Sequence, residues 1–160
     1  MKVVLDTNCI LQIVFPKACY KEAWDALLAN KYTICVSNEI LLEYREILER
    51  RFKDARFAEN VVEAILSLPN TIQINPSYRF NLITSDPDDN KFVDCAITAG
   101  ATFIVSNDHH FSELERYEFP KVDVRTLQEF LNILAFHNVT IVETAHIQYS
   151  TKAEIDSFHS

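Results

Sequence analysis

A single glycine, Gly100, serves all 160 residues. Loops that cradle phosphate need several glycines, because only a backbone without Cβ approaches the anion closely enough. A P-loop, a dinucleotide fingerprint and a kinase-type phosphate loop are therefore excluded. A G-x-S-x-G nucleophile elbow is excluded for the same reason. No apolar run approaches the length of about 18 residues that a membrane-spanning helix needs. The segment Met1 to Asp6 meets a charge too early for a secretory leader, so the expectation is a soluble cytoplasmic protein. Cys9, Cys19, Cys35 and Cys95 show neither C-x-x-C spacing nor a disulfide-like pattern, which argues against a zinc knuckle or a stapled fold. They read as buried free thiols in a reducing compartment. Basic charge is also scarce: the net charge is −8 and the pI about 5.1. That weighs against a plain nucleic-acid-binding module, whose affinity rests on Lys and Arg neutralising phosphates.

What is present is apolar material, 48% of the chain, enough for the core of one domain without staples. Lys2-Val3-Val4-Leu5 reads as a short buried strand ending at Asp6, the pattern of a parallel sheet. Helices are expected from Asn8 to Phe15 and from Ala18 to Asn30, the latter with Ala23, Trp24, Leu27 and Leu28 as its stripe. A strand over Tyr32 to Val36 precedes a helix capped by Ser37 or Asn38 and running to Arg51. Asp54 starts another helix that ends before Pro69, Thr71 to Ile74 form a strand, and Asn75 to Asp88 a loop. A helix from Asp89 to Ala99 stops at Gly100, where a left-handed terminator belongs. Strand Thr102 to Val105, a short helix His109 to Arg116, strand Val122 to Val124 and helix Thr126 to Phe136 complete the alternation. Strands alternating with helices give an α/β fold, a three-layer α/β/α sandwich around a central, mostly parallel sheet. Residues 1–136 form this domain. Residues 137–160 are read as an extension, with an extra edge strand at Val139 to Val142 and a mobile tail.

Ligands in parallel α/β sheets gather at the carboxyl ends of strands. Asp6 follows the first strand, Asp108 follows the strand ending at Val105, Asp89 opens the intervening helix, and Glu43 sits in the helix after the second strand. Carboxylates collected at one edge repel one another unless a cation joins them, and hard divalent ions prefer oxygen ligands. Each acid also has a plainer reading. Asp88 and Asp89 serve equally as helix caps after Pro87, Asp108 as a cap for the next helix, and Glu43 as a solvated helix residue. Asp6 is harder to dismiss, because a charge ending a buried strand needs a partner or a task.

Four segments carry a family resemblance: Val3-Val4-Leu5-Asp6-Thr7-Asn8, the Glu43 helix, Asp86-Pro87-Asp88-Asp89-Asn90-Lys91-Phe92, and Phe103-Ile104-Val105-Ser106-Asn107-Asp108. In this order and spacing the chain, over residues 1–136, resembles PIN domains, and more narrowly the VapC-like toxin components of toxin–antitoxin systems. The resemblance implies a Mg²⁺- or Mn²⁺-dependent ribonuclease that hydrolyses RNA phosphodiester bonds. It makes Asp6, Glu43, Asp89 and Asp108 the catalytic, metal-binding acids, with Asp94 as an auxiliary ligand. Asn8 and Ser106 would orient the acids, although Asn8 serves equally as a helix cap. A small antitoxin and a second copy of the chain are the implied protein partners.

The basic stretch Arg45, Arg50, Arg51, Lys53 and Arg56 offers an RNA path, but reads more simply as a solvated face pairing with Glu46 and Glu49. His109 and His110 are expected at the surface. Two rivals are weighed. A haloacid-dehalogenase-like phosphatase needs a second Asp two residues after the first, and that position is Asn8. A PIN-like RNA-binding or scaffold module without catalysis would be marked by a broken acid set, and here the set is complete.

Overall fold

The computed structural model describes residues 1–15 and 19–138. Five short strands make one sheet: β1 (Lys2–Leu5), β2 (Thr33–Val36), β3 (Thr71–Gln73), β4 (Phe103–Val105) and β5 (Val124–Arg125). Their spatial order is β3-β2-β1-β4-β5, and every neighbouring pair is parallel. Val3, Val4 and Leu5 in β1, Ile34, Cys35 and Val36 in β2, and Ile104 and Val105 in β4 are wholly inaccessible to solvent. Successive strand residues point to opposite faces, so unbroken burial means that both faces of the sheet are covered. The architecture is the expected α/β/α sandwich.

The helices are α1 (Thr7–Ile13), α2 (Lys21–Leu28), α3 (Asn38–Phe52), α4 (Ala55–Ser67), α5 (Asn90–Ala99) and α6 (127–138). Their limits follow local chemistry. Ser37 Oγ accepts from the Ile40 N–H at 3.2 Å and starts α3; Asp54 Oδ1 accepts from the Phe57 N–H at 2.9 Å and starts α4. Gly100 ends α5 at φ 64°, a left-handed conformation that costs glycine no steric strain. Aromatic packing ties α6 to the sheet: the Phe130 ring meets Tyr32 edge-on at 4.9 Å and Phe103 at 5.9 Å.

Several sequence expectations shift. The last strand starts two residues and ends one residue later than read, at Val124–Arg125, because Ile104 pairs with Val124 and Val105 with Arg125. His109–Arg116 winds as a 3-10 segment, and Pro87–Asp89 forms a 3-10 turn ahead of α5. Cys9, Cys35 and Cys95 are buried free thiols, whereas Cys19 is exposed, in the turn before α2. The edge strand expected at Val139 to Val142 and the tail lie outside the described residues. No described helix is long and apolar enough to cross a membrane.

Chain order fixes where chemistry belongs. From β1 the chain steps to β2 and β3 on one side, then returns to place β4 and β5 on the other. The order therefore reverses between β1 and β4, and the crevice beyond their carboxyl ends is the switch point where such sheets bind ligands. The end of β1 is fixed from α3, since the fully buried Tyr44 donates its hydroxyl to the Leu5 carbonyl one residue before Asp6. Tyr44→Phe removes the only hydroxyl in that pair and leaves a buried carbonyl short of a donor. Urea denaturation of this variant is expected to show a loss of about 1–3 kcal/mol, the range for such a deletion; an unchanged midpoint and slope would refute the role given to this bond.

Candidate metal centre

Asp6 stands at the N-cap of α1, yet its side chain makes no cap bond. The backbone does the local work: its N–H continues the sheet to the Val105 carbonyl at 3.0 Å, and its carbonyl accepts from Cys9 and Ile10. The carboxylate is buried, only 5% of the residue remaining exposed, with the Thr7 and Asn8 backbone N–H groups close enough to favour its charge. Ser106, directly after β4, joins it to Asp108. The Ser106 Oγ donates to Asp6 Oδ2 at 2.8 Å and accepts from the Asp108 N–H at 2.9 Å. One hydroxyl thus spans the switch point. Burial pushes the Asp6 carboxyl above its ordinary range, against the Ser106 hydrogen bond, and the Asp108 charge adds to the rise.

Asp89 arrives from the 3-10 turn ahead of α5. Its carboxyl is pushed up to about 6, first by burial and then by the negative charges of Asp6, Asp86 and Asp108, with His110 acting in the opposite sense. Among the described residues the buried Asp89 Oδ2 has no hydrogen-bond partner, and His110 Nδ1 lies 3.4 Å from it. The same His110 nitrogen lies 3.1 Å from Asp108 Oδ1 and 3.8 Å from Asp86 Oδ2. Asp86, Asp89 and His110 each offer a ligand atom within 4.8 Å of the others.

Glu43 enters from α3 on the other side. Thr7, the neighbour of Asp6, donates its hydroxyl to Glu43 Oε1 at 2.5 Å, and Lys91 Nζ donates to Oε2. Lys91 is itself buried, its side chain 6% exposed, and also meets Asp88 at 2.9 Å. Burial alone would lower the lysine's pKa; hydrogen bonds and charge from Glu43 and Asp88 outweigh it and hold the ammonium above its ordinary value.

The family model of the PIN domain matches residues 2–110, a span that contains every one of these acids. The chain belongs to the PIN-domain family. Among solved structures this PIN domain is similar in fold to VapBC2 from Rickettsia felis bound to a DNA fragment from their promoter. That likeness has 20% identity and a TM-score of 0.54, covering 79% of this chain and 98% of that one. It is also similar to FitAB bound to the IR36 DNA fragment, with 16% identity, a TM-score of 0.51, and 78% and 94% of the two chains covered. At these identities the likeness concerns the fold. No curated protein matches the chain by sequence.

Of the residues read from the PIN motifs, Asp6, Asp89 and Asp108 act on one another electrostatically, and Thr7 and Lys91 bring Glu43 alongside. Asp94 turns elsewhere: wholly buried, it accepts from the Phe80 N–H at 3.0 Å and lies 3.7 Å from the Arg79 guanidinium. Five residues along a helix from Asp89 is about 140° of rotation, which points it away from its predecessor. Asn8 is exposed, its backbone carbonyl taken by Gln12 Nε2 at 3.1 Å, and it lines an open cavity of about 520 Å³ with Arg51, Asp108 and His110. His109 is exposed as expected, but His110 is not; Asp108 Oδ1 accepts the His110 N–H at 2.9 Å and the turn folds the ring back among the acids. Asp86 and Lys91 stood in one of the PIN segments with no role assigned to either, and His110 was read as a surface residue. The D-x-H spacing from Asp108 to His110 is the one signal that turn chemistry offered. On α3, Arg50 pairs with Glu46 and Arg45 with Glu59, so part of the basic stretch is already paired.

The loop that delivers Asp86 and Asp89 is clamped from two sides. Asn90 exchanges hydrogen bonds with the Ile83 backbone, 2.9 Å from its N–H and 2.8 Å to its carbonyl, and donates to the Pro87 carbonyl at 3.0 Å. Glu113 accepts from the N–H and hydroxyl groups of both Thr84 and Ser85. These donors, the Ser85 hydroxyl foremost, lower the Glu113 carboxyl from 4.5 to about 2. A depressed carboxylate stabilises the fold fully above its unfolded pKa, and the contribution fades as pH falls through the window from 4.5 towards 2. In that window the thermal midpoint of the wild type is therefore expected to fall more steeply than that of Glu113→Gln. Parallel curves would remove the clamp from the account.

Proposed function

We propose that this PIN domain is a divalent-metal-dependent ribonuclease whose centre comprises Asp6, Glu43, Asp89 and Asp108. The observation that carries the reading is the buried Asp89 Oδ2, left without a hydrogen-bond partner while Asp6, Asp86 and Asp108 press negative charge upon it. An all-oxygen, carboxylate-rich donor set suits Mg²⁺ or Mn²⁺. When bound, such an ion activates water and offsets the charge that builds on a phosphodiester during hydrolysis. Asp6, Asp89 and Asp108 would hold it, with Ser106 fixing the first and last of these relative to each other. His110 turns a ring nitrogen to the same carboxylates and steers them.

RNA as the substrate rests on the family resemblance and on the space beside Asp108. The cavity of about 520 Å³ shares Asn107, Asp108 and His109 with a second one of about 330 Å³, which Lys121 and Arg125 also line. Both lie within the size range of small-ligand sites, and each carries a cation for a flanking phosphate. The fold likeness to VapBC2 and FitAB supports a toxin role, restrained in the cytoplasm by a small antitoxin that presents a basic side chain to the acids. A homodimer is part of the same proposal, as is a nuclease unit over residues 1–136.

Incubation of a mixed RNA pool with Mg²⁺, Mn²⁺ or EDTA tests the activity. Cleavage is expected with either ion and not with EDTA. Ser106→Ala is expected to lose about 10–100-fold, the usual cost of removing a group that orients metal ligands, and Asp6→Asn more than that. RNA binding without cleavage under every condition would favour the scaffold reading instead.

A further inference from the structure

We infer that Lys91 is a built-in cation of the acid centre: its ammonium occupies Glu43, so that the remaining acids hold one divalent ion and not two. The inference rests on the metal-dependent reading above and narrows it.

Both oxygens of Glu43 are already engaged. Thr7 Oγ1 engages Oε1 and Lys91 Nζ engages Oε2. Lysine is among the residues least often buried, because the ammonium loses its hydration; it is tolerated inside only when paired and hydrogen-bonded. Lys91 meets that condition through Glu43 and Asp88 together, although the Asp88 side chain is 81% exposed and cannot alone hold the ammonium inside. Glu43 is therefore the partner that keeps Lys91 in place, and the Lys91 ammonium occupies the Glu43 oxygen that Thr7 leaves open.

The geometry also divides the acids into two halves. Asp89 and Lys91 lie two positions apart, and residues at that spacing diverge around a helix. Asp89 faces Asp6 and Asp108, while Lys91 faces Glu43. Among the described residues, only the first half contains a buried carboxylate oxygen with no hydrogen-bond partner, Asp89 Oδ2. A second divalent ion at Glu43 would have either to displace the ammonium or to crowd beside it against one carboxylate. Lys91 is thus a positioning residue: it sets the ion count through Glu43 without touching substrate.

Counting bound Mn²⁺ by the loss of the free-ion EPR signal tests this without reference to cleavage. Wild type is expected to bind one Mn²⁺ per chain, Lys91→Met two, and the Lys91→Met/Glu43→Gln double variant one again. Two ions on wild type, or one on Lys91→Met, would overturn the inference while leaving the metal-dependent reading intact. No ion on wild type would overturn both. Should Lys91→Met fail to fold with Glu43 left uncompensated, Glu43→Gln alone decides: one ion retained supports the inference, and loss of the ion refutes it.

Discussion

Negative charges held close together out of water are the constraint around which this chain is built. Asp6 and Asp108 are tied through a single serine hydroxyl, and Asp89 is pressed against both. Alone in a protein interior such a set opposes folding, since each carboxylate loses hydration and meets like charge. A fold retains it only if the surrounding structure is strong enough to hold the acids and if something with positive charge completes them.

The scaffold supplies that strength. A sheet buried on both faces positions β1 and β4 side by side, so the residues immediately after them converge with no long loop between sheet and site. Bonds then fix each contributor locally: Tyr44 holds the end of β1, Asn90 and Glu113 hold the loop that carries Asp86 and Asp89, and Thr7 with Lys91 holds Glu43. The order is hierarchical. The parallel register brings the strand ends within reach, and polar bonds from neighbouring helices decide where the carboxylates point.

Much of this was readable from the amino acids because it depends on local chemistry. Unbroken apolar runs marked β1, β2 and β4, since burial on both faces leaves no alternation. Ser37 or Asn38, Asp54 and Gly100 marked helix ends because a cap is decided by one side chain or one φ angle, and Ser37 is the cap the fold uses. Asp6 announced itself as a charge ending a buried strand. What stayed hidden was decided by contacts between distant segments. Lys91 looks like any exposed helix lysine until α3 brings Glu43, 48 positions away in sequence, to its ammonium. His110 looked like half of a surface pair until the turn at Asp108 folded it inward. Asp94 shares a helix with the site but turns its carboxylate to the 79–80 loop, and β5 starts two residues later than read because its register is set by pairing to β4.

The central claim is that the acids strain the protein when no ion is present and are relieved by one. Thermal unfolding of wild type and Asp89→Asn, each in EDTA and in Mn²⁺, tests it most directly. In EDTA the variant should unfold higher than wild type by roughly 2–4 °C for each kcal/mol of repulsion relieved in a chain of this size. Mn²⁺ should raise wild type more than the variant. A variant less stable than wild type in EDTA, with Mn²⁺ moving neither, would contradict the account.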